Sequence, residues 1–560
     1  MKEQVDILFV NARVVDVFTG RILLRDVAVK DGLFTGFGPY PAQETIDLEN
    51  RYMVPGLLDA HVHIESSMVP PARFAESVLA CGTTTCIADP HEIANVAGLD
   101  GIRYMIDAAR NLLMNIRFAL PSCVPATHME TAGASITAKD MEEIIQHPRI
   151  AALGEMMNFP GVISRDPEIL ARTALALKAG KPVDGHAPGL TGEDLNAYVR
   201  AGISTDHECT KPEEALEKMA CGMRIMVREG TCAKNLDDLF SVINENTVSR
   251  MMWCTDDRHP EEILNQGHVD HIIRRAAGKG LDPVQAVRMA SINCADHFHL
   301  SDVGAIAPGR RADFIVTGSL ENFRPDMVYA GGVLAARNGE YCAGDTEASP
   351  AAPLEVMNIN SRDIDLGIPA RSGKIRVIDL VPDQVITGTA ILEPALQNGF
   401  AVCDPGRDIS KIAVIERYTG KAGTGKGFVR GLGLSKGAVA SSVAHDSHNI
   451  VTAGTSDRDM IRAAEEVVRM KGGFAVAVDG EIAAKLPLEI AGLMTDLPME
   501  VVNERMKSVN MAVQGLGCGL NDPFMALGFL ALPVIPELKI TDRGLVDVNR
   551  FEIVDLFTEE

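Results

Sequence analysis

Several common features are scarce or missing in this sequence of 560 residues. Its 11 cysteines are odd in number and never spaced Cys-x-x-Cys, which argues against a disulfide framework. Basic residues are few: 53 Lys and Arg against 76 Asp and Glu give a net charge of -23, which disfavours nucleic acid or an anionic membrane as a partner. The N-terminus has no basic region followed by an apolar core, and the apolar run 524–532 is too short to cross a bilayer. We therefore expect a cytoplasmic protein with neither a nucleic-acid nor a membrane partner.

The alternation of strand-like and helical segments predicts the central fold. From about residue 53, short strands of the buried type alternate with helical stretches, which is typical of βα units around a parallel sheet. The strand-like segments are 54–63, 83–89, 116–121, 150–155, 182–186, 203–207, 224–228 and 250–255. Eight such repeats over about 250 residues match a (β/α)8 barrel in count and length. We therefore predict a barrel within residues 53–300.

The flanks of this barrel predict two further domains. Residues 1–52 carry short β-branched segments separated by turn residues, which favour a small β unit. Strand-like segments return within residues 301–345, and we expect them to complete the same small β domain. The segment 345–353 is rich in Ala, Pro and Ser and is typical of a linker. Residues 354–560 hold strands and helices of their own, so the expected fold class is α/β: a (β/α)8 barrel, a small β domain built from both flanks, and a C-terminal α/β domain.

Polar residues at the ends of the predicted strands indicate a metal site. In a (β/α)8 barrel the chemistry takes place at the carboxyl ends of the strands. The residues at these ends that can ligate a metal are His61, His63, Glu155, His186, His207 and Asp256. Four of the 14 histidines of the chain fall at these few positions. Because four imidazoles and two carboxylates form a nitrogen and oxygen ligand set, the expected ion is Zn, Mn or Fe(II).

The number of these ligands favours two metal ions. His61 and His63 are two residues apart on a strand, so their side chains point to the same face. Glu155 on the fourth strand is expected opposite this pair, where its carboxylate can bridge two ions. Two ions about 3.5–4 Å apart can hold a hydroxide between them and lower its pKa toward neutrality. Asp256 can ligate one ion and accept the proton of that hydroxide as it attacks.

Other polar residues near these strand ends have less defined roles. His91 and Glu92 follow the second strand, and because a barrel fold needs no polar residues there, we favour a functional role for them. Asp206 and Glu208 flank His207 and are expected to be solvated loop charges. Asp184 is expected to be structural. The segment 445–449 in the last domain is either a loop that reaches the barrel mouth or a plain polar turn.

At these residues the chain resembles the amidohydrolase superfamily, and within it the bacterial and archaeal adenine deaminase family. The superfamily motif is PGLLDAHVH at 55–63, followed by single histidines on strands five and six and an aspartate on strand eight. The motifs that match the adenine deaminase family are HIESSM (63–68), DPHEIANV (89–96), LGEMMN (153–158), TDHE (205–208), CTDDRHP (254–260), HDSHN (445–449) and NDPFMAL (521–527). The resemblance therefore covers nearly the whole chain.

This resemblance implies hydrolytic deamination of adenine to hypoxanthine and ammonia, a step of purine salvage. A metal-bridging hydroxide would attack C6 of the purine, and the two divalent ions would be Mn(II) or Fe(II), with Zn(II) possible. Asp256 would take the proton of the hydroxide and pass it toward the leaving amine, and Glu92 would donate a proton to a ring nitrogen or hold it. His91 and His448 are predicted to contact the purine. We also expect a homo-oligomer.

Two other functions stay open at this point. One is another metal hydrolase on the same barrel, either a cyclic amidase or a deacetylase. Such enzymes often carry a carbamylated lysine on strand four, where this chain has Glu155 and no lysine. The other is a non-catalytic scaffold on the same fold. Scaffolds of this kind lose metal ligands, whereas this chain keeps all six.

Overall fold

The computed structural model describes residues 3–231, 233–344, 354, 356–382, 384–421 and 423–559. Two compact units account for the chain. The first unit comprises Met1–Pro90, Met105–Ser122 and Thr137–Ala351. The second comprises His91–Tyr104, Cys123–Ile136 and Ala352–Glu560. The sequence-based boundaries place His91–Tyr104 and Cys123–Ile136 in the barrel domain. Those boundaries stay a prediction. The predicted linker at 345–353 lies outside the described residues.

The first unit contains a closed barrel of eight strands. These strands are Leu57–Val62, Thr83–Ala88, Asn115–Leu120, Ile150–Met156, Val183–Gly185, Thr205–Asp206, Arg224–Arg228 and Met251–Cys254. Strands one to five form one parallel sheet and strands six to eight another. Parallel bridges between Val183 and Ile203, and between Val62 and Asp256, join the two sheets into a ring. The predicted (β/α)8 barrel is confirmed.

The barrel strands are buried on both faces, which explains why their sequences are nearly continuous apolar runs. Every residue of the first and second strands is buried. On the seventh strand, Ile225 and Val227 pack among residues of the surrounding helices, whereas Met226 belongs to a separate cluster with Leu58 and Ile87. Successive side chains therefore face the helical layer and the barrel interior in turn.

Helices connect the barrel strands. Those of residues 57–300 are Pro71–Ala80, His91–Ala108, Ala138–Met141, Phe159–Ile163, Pro167–Lys178, Gly192–Arg200, Pro212–Ala220, Leu236–Leu239, Pro260–Gln266, Val269–Gly278, Pro283–Met289 and Ile292–His297, with 3-10 turns at Ile64–Ser67, Phe240–Val242 and Val248–Arg250. Several begin with proline, whose missing N–H and fixed φ suit the first helical position. Gly82, at φ 86, separates the first helix from strand two in a backbone conformation that favours glycine.

A second sheet of the first unit combines strands from both sides of the barrel segment. Its strands are Val5–Asp16, Arg21–Lys30, Leu33–Phe37, Ala42–Asp47, Tyr52–Pro55, Phe314–Thr317, Met327–Ala330, Val333–Arg337 and Glu340–Tyr341. The join is the antiparallel pair of Tyr52–Pro55 with Phe314–Thr317. The rings of Phe9, Phe314 and Tyr329 pack against one another in its core, with centroids 4.5 to 5.2 Å apart.

The second unit is built on a mixed sheet with helices. Its strands are Lys374–Leu380, Thr387–Leu392, Ala395–Gln397, Phe400–Val402, Ile409–Ile415, Thr424–Arg430, Ala438–Ser441, Ile450–Gly454, Gly473–Val478, Glu481–Pro487, Leu538–Thr541, Gly544–Asp547, Glu552–Val554 and Phe557–Thr558, and its helices from residue 361 onward are Asp457–Arg469, Met499–Gln514 and Pro523–Phe529, with 3-10 turns at Ser361–Asp363 and Pro405–Arg407. Met460 and Val467 of the first of these helices pack on Ile415 and Ala440 of the sheet. Among the described residues, no helix combines the length and apolar character needed to cross a bilayer.

Candidate active site

The histidine pair of strand one and the aspartate after strand eight meet at the same end of the barrel. The Nε2 atoms of His61 and His63 are 3.1 Å apart. Asp256 Oδ1 lies 3.0 Å from His63 Nε2 and 3.4 Å from His61 Nε2. The backbone fixes this register, because the Asp256 N–H donates to the His61 carbonyl and the His63 N–H donates to the Asp256 carbonyl. Closure of the barrel therefore assembles this half of the site.

Glu155, at the end of strand four, links the two groups of histidines. Its Oε1 is 3.2 Å from His63 Nε2. Its Oε2 is 3.2 Å from His207 Nε2 and 2.6 Å from His186 Nδ1. One carboxylate oxygen thus faces each group, as a bridging ligand requires. All six ligands predicted from the sequence lie together.

Hydrogen bonds orient the first two imidazoles. His61 Nδ1 is 2.8 Å from Asp184 Oδ2, and His63 Nδ1 is 2.9 Å from the carbonyl oxygen of Asp89. Because these oxygens accept, each Nδ1 carries a hydrogen, and each imidazole directs Nε2 into the site, where its lone pair is available once that nitrogen is deprotonated. Asp184, expected to be structural, therefore fixes the tautomer of His61.

The buried donors of His207 fit a divalent cation. The residue is 1% exposed, and neither ring nitrogen makes a hydrogen bond within the described part of the chain. A buried polar group without a hydrogen bond is costly, and a cation bound by Nε2 and the nearby Glu155 Oε2 would satisfy it. Among the groups here whose donor atoms all lie within 4.8 Å of one another are His61, His63 and Asp256; His61, Glu155 and His207; and His186, His207 and Glu208. The donor set suits a divalent transition metal.

The ionisation of the site also favours a cation. Burial lowers the pKa of His61, but Asp184 more than offsets this and raises it to about 10. Burial raises the pKa of Glu155 and Asp256, yet the histidines around Glu155 and the arginine beside Asp256 hold both well below their usual range. The carboxylates are therefore charged, and protons on His61, His63 and His186, whose pKa values are all raised, balance them. Since metal ligands must be deprotonated, binding of a divalent ion would release these protons.

Arg228, at the end of strand seven, holds the far side of Asp256. Its Nη1 donates to Asp256 Oδ2 at 2.8 Å, and its Nη2 donates to Glu208 Oε2 at 3.0 Å. Asp256 consequently presents one oxygen to the histidines and the other to the guanidinium. The expectation that Glu208 is a solvated loop charge is wrong: its side chain is 13% exposed and pairs with Arg228.

Asp206 is also buried, which corrects the prediction of a solvated charge. Its side chain is 0% exposed, and Lys218 Nζ, equally buried, lies 2.9 Å from Oδ2 and compensates its charge. The Ala187 N–H donates to Asp206 Oδ1 at 2.9 Å, and Lys218 Nζ donates to the Ala187 carbonyl at 2.7 Å. This ion pair therefore ties the loop after His186 to the end of strand six and to the helix Pro212–Ala220.

Glu92 is buried in the second unit with two histidines of the C-terminal region. Its Oε1 lies 2.7 Å from His445 Nδ1, and its Oε2 is in direct contact with His448 Nε2. His91 Nε2 is 3.5 Å from Glu92 Oε1. The turn at 445–449 is buried. Whether it reaches the barrel mouth stays a prediction.

Comparison with known proteins places the whole chain in one family. The sequence profile of the amidohydrolase family matches residues 52–335, and that of the adenine deaminase C-terminal domain matches residues 384–552. The chain is 52% identical to an adenine deaminase of Desulfatibacillum aliphaticivorans, covering 99% of this chain and 97% of that protein. This chain belongs to the adenine deaminase family. It is 47% identical to adenine deaminase 2 of Carboxydothermus hydrogenoformans, over the same shares of the two chains.

Among solved structures, the chain is similar to the L-hydantoinase of Arthrobacter aurescens. The identity is 15%, the TM-score is 0.48, and the match covers 60% of this chain and 98% of that one.

The candidate site residues of this adenine deaminase family member fall within two different family profiles. The amidohydrolase profile spans all six predicted ligands together with Glu92 and Arg228. The C-terminal profile contains His445 and His448. The residues that sequence analysis missed are Arg228 and Lys218. The strand-end rule applied to strand seven would have found Arg228, whereas Lys218 lies on a helix and no sequence motif marks it.

Proposed function

We propose that this chain hydrolyses adenine to hypoxanthine and ammonia. The observation that carries the proposal is the convergence of four imidazoles and two carboxylates at one end of the barrel, in a chain that matches adenine deaminases along nearly its full length. We further propose a cytoplasmic homo-oligomer. Within the described residues, no contact favours the cyclic amidase or the deacetylase, and the retention of every ligand argues against a scaffold.

Two divalent ions would be held by the predicted ligands, with Mn(II) or Fe(II) favoured over Zn(II). These ligands are His61, His63, Glu155, His186, His207 and Asp256. When bound, such ions make water a nucleophile near neutral pH by lowering its pKa. Glu155, with one oxygen toward each histidine group, is the proposed bridge.

Asp256 is the proposed proton acceptor for the attack on C6. Its Oδ1 faces His61 and His63, and the Arg228 contact keeps the group ionised until it is needed. The carboxylate would take the proton released as the new C6–O bond forms and would give it to the amino group as the C6–N bond breaks. Ammonia then leaves with that proton.

Glu92 is proposed to interact with a ring nitrogen of the purine. Addition at C6 makes N1 more basic, so an acid near N1 lowers the barrier. Glu92 is the candidate to donate to that nitrogen or to hold it, and His91 is proposed to contact the ring beside it. His448, also predicted to contact the purine, has its Nε2 on Glu92.

The direct test is ammonia release from adenine, adenosine, cytosine and guanine after loading with Mn(II) or Fe(II). We expect turnover of adenine well above that of the other three. A cyclic amide and an N-acetylated substrate, assayed in parallel, cover the other hydrolases. Activity on either of these, with none on adenine, would reject the proposal.

The metal assignment predicts the outcome of His61→Asn. Removing one imidazole from the pair His61 and His63 should lower the content from two ions per chain to about one, since His186, His207 and the Glu155 carboxylate stay in place to hold the other ion. The measurement is elemental analysis after metal repletion and desalting. His299→Asn, at an exposed histidine, is the matched control and should keep both ions. Two full ions in the His61 variant would contradict the assignment.

A further inference from the structure

Glu208, which follows His207 in the chain, faces two of the predicted metal ligands. We propose that the Glu208 carboxylate is a seventh ligand of the metal centre and binds, through Oε1, the ion held by His186 and His207. The inference rests on the proposed centre of two ions and deepens it, because the six predicted ligands do not include this residue. It assigns Glu208 a role besides its ion pair with Arg228.

The distances bring Glu208 close to both imidazoles. Its Oε1 lies 3.6 Å from His207 Nε2 and 3.7 Å from His186 Nδ1. The three residues have donor atoms that all lie within 4.8 Å of one another. Both separations exceed the length of a hydrogen bond. Two ligands at about 2.0–2.1 Å from a tetrahedral ion are about 3.3–3.4 Å apart, so this spacing is close to that of donors that share one ion.

The other half of the site has the same arrangement. Asp256 Oδ1 lies 3.0 Å from His63 Nε2 and 3.4 Å from His61 Nε2. Each pair of imidazoles therefore faces one oxygen of its own carboxylate, and Glu155 presents one further oxygen to each pair. With Glu208 included, each ion has four protein donors. Because Mn(II) accepts octahedral coordination, positions for water stay available.

Arg228 holds both of these carboxylates on the side away from the histidines. Its Nη1 donates to Asp256 Oδ2 at 2.8 Å, and its Nη2 donates to Glu208 Oε2 at 3.0 Å. Nη1 also contacts Glu208 Oε1. A carboxylate oxygen has more than one lone pair, so Oε1 can accept from Arg228 and still bind an ion. The guanidinium thus orients both carboxylates, as hydrogen-bond partners of metal ligands commonly do.

The charge of Glu208 favours the same assignment. Burial raises the pKa of Glu208, but Arg228 and the two histidines more than offset this and lower it below its ordinary value. The side chain is therefore a carboxylate. Without it, the ion beside these histidines would have Glu155 as its only anionic ligand and would share it with the other ion. Buried charges need compensation, and Glu208 supplies it on this side of the centre.

A role as the counter-ion of Arg228 alone is the competing interpretation. Glu208 would then neutralise the guanidinium without binding a metal. That interpretation leaves the approach of Oε1 to two imidazole nitrogens unexplained. It also makes a different prediction, because a counter-ion matters only while Arg228 is present, whereas a ligand matters in its absence as well.

Titration of the apoprotein with Mn(II) in the His61→Asn background isolates the ion in question. About one ion is expected there, held by His186 and His207. Adding Glu208→Gln keeps the size of the side chain and removes its charge, and we expect the Kd of this ion to rise on the order of 10²-fold or more, at or above the upper end of what loss of an outer partner costs. Glu213→Gln, the same change at an exposed glutamate of the following helix, is the matched control and should leave the Kd unchanged.

Two further measurements separate a ligand from a counter-ion. With Co(II) in place of Mn(II), the d–d absorption should change in the Glu208 variant, because loss of a ligand alters the coordination geometry. In an Arg228→Gln background, Glu208→Gln should still raise the Kd. Far-UV circular dichroism checks that each apoprotein is folded, and where Arg228→Gln is not, the Co(II) spectrum of Glu208→Gln decides alone.

Each result decides the proposal. A rise in Kd below about tenfold, an unchanged Co(II) spectrum, or an effect that disappears in Arg228→Gln would overturn the assignment of Glu208 and leave the deaminase function standing. A wild-type apoprotein that binds fewer than two Mn(II) ions would overturn the centre of two ions and this inference together. A protein that binds both ions and releases no ammonia from adenine would overturn the proposed activity, while the titration would still decide the role of Glu208.

Discussion

Asp256→Asn should lower kcat for adenine on the order of 10²–10⁴-fold, the usual range for a lost general base. The carboxylate lies between two different neighbours: Oδ1 faces His61 and His63, and Oδ2 accepts from Arg228. An amide has one oxygen to offer and cannot accept a proton at neutral pH. The rate of the chemical step should therefore fall more than the affinity for the purine.

The same contacts dictate how this variant must be measured. If the amide oxygen of Asn turns toward Arg228, its NH2 group faces the histidines and weakens a metal ligand. If it turns the other way, two donors oppose each other at Arg228. Metal content, KM and kcat should hence be determined on one preparation of Asp256→Asn. A loss below about tenfold with both ions bound would show that another group accepts the proton.

Glu92→Gln should cause a fall in kcat of similar size, on the order of 10²–10⁴-fold, with near-normal metal content. The Ala444 N–H donates to His448 Nδ1, so the hydrogen of the neutral ring is on Nε2, which contacts Glu92 Oε2. The amide oxygen of Gln should therefore take the place of Oε2, and its NH2 group should face His445. Shape and one hydrogen bond are kept, and proton exchange is lost. Binding of a non-reactive purine should change only modestly.

Three measurements on one Glu92→Gln preparation check this result: metal content, melting temperature and steady-state kinetics. Lost metal or a large drop in melting temperature without a selective kinetic defect would assign Glu92 a structural role. Turnover equal to wild type would remove it from the mechanism. In either case adenine deamination by the wild type would be untouched.

Local sequence patterns determined the barrel and the predicted ligands. Strand-like and helical segments repeat eight times between residues 54 and 300, and all eight strands form. Since the carboxyl ends of parallel strands meet at one rim, a polar residue at a strand end has a predictable place. This is why His61, Glu155 and Asp256 could be grouped before any contact was known. The sequence motifs around these residues then indicated the adenine deaminase family.

Only the tertiary structure decided what surrounds these residues. Lys218, on a helix, neutralises Asp206 inside the protein, and Glu92 finds His445 some 353 residues further along the chain. Burial of a charge depends on whether a distant partner compensates it, and local composition does not encode that partner. Asp206 therefore resembled a solvated loop charge in the sequence. The protonation state of His448 likewise follows from one backbone N–H that only the folded turn brings to its ring.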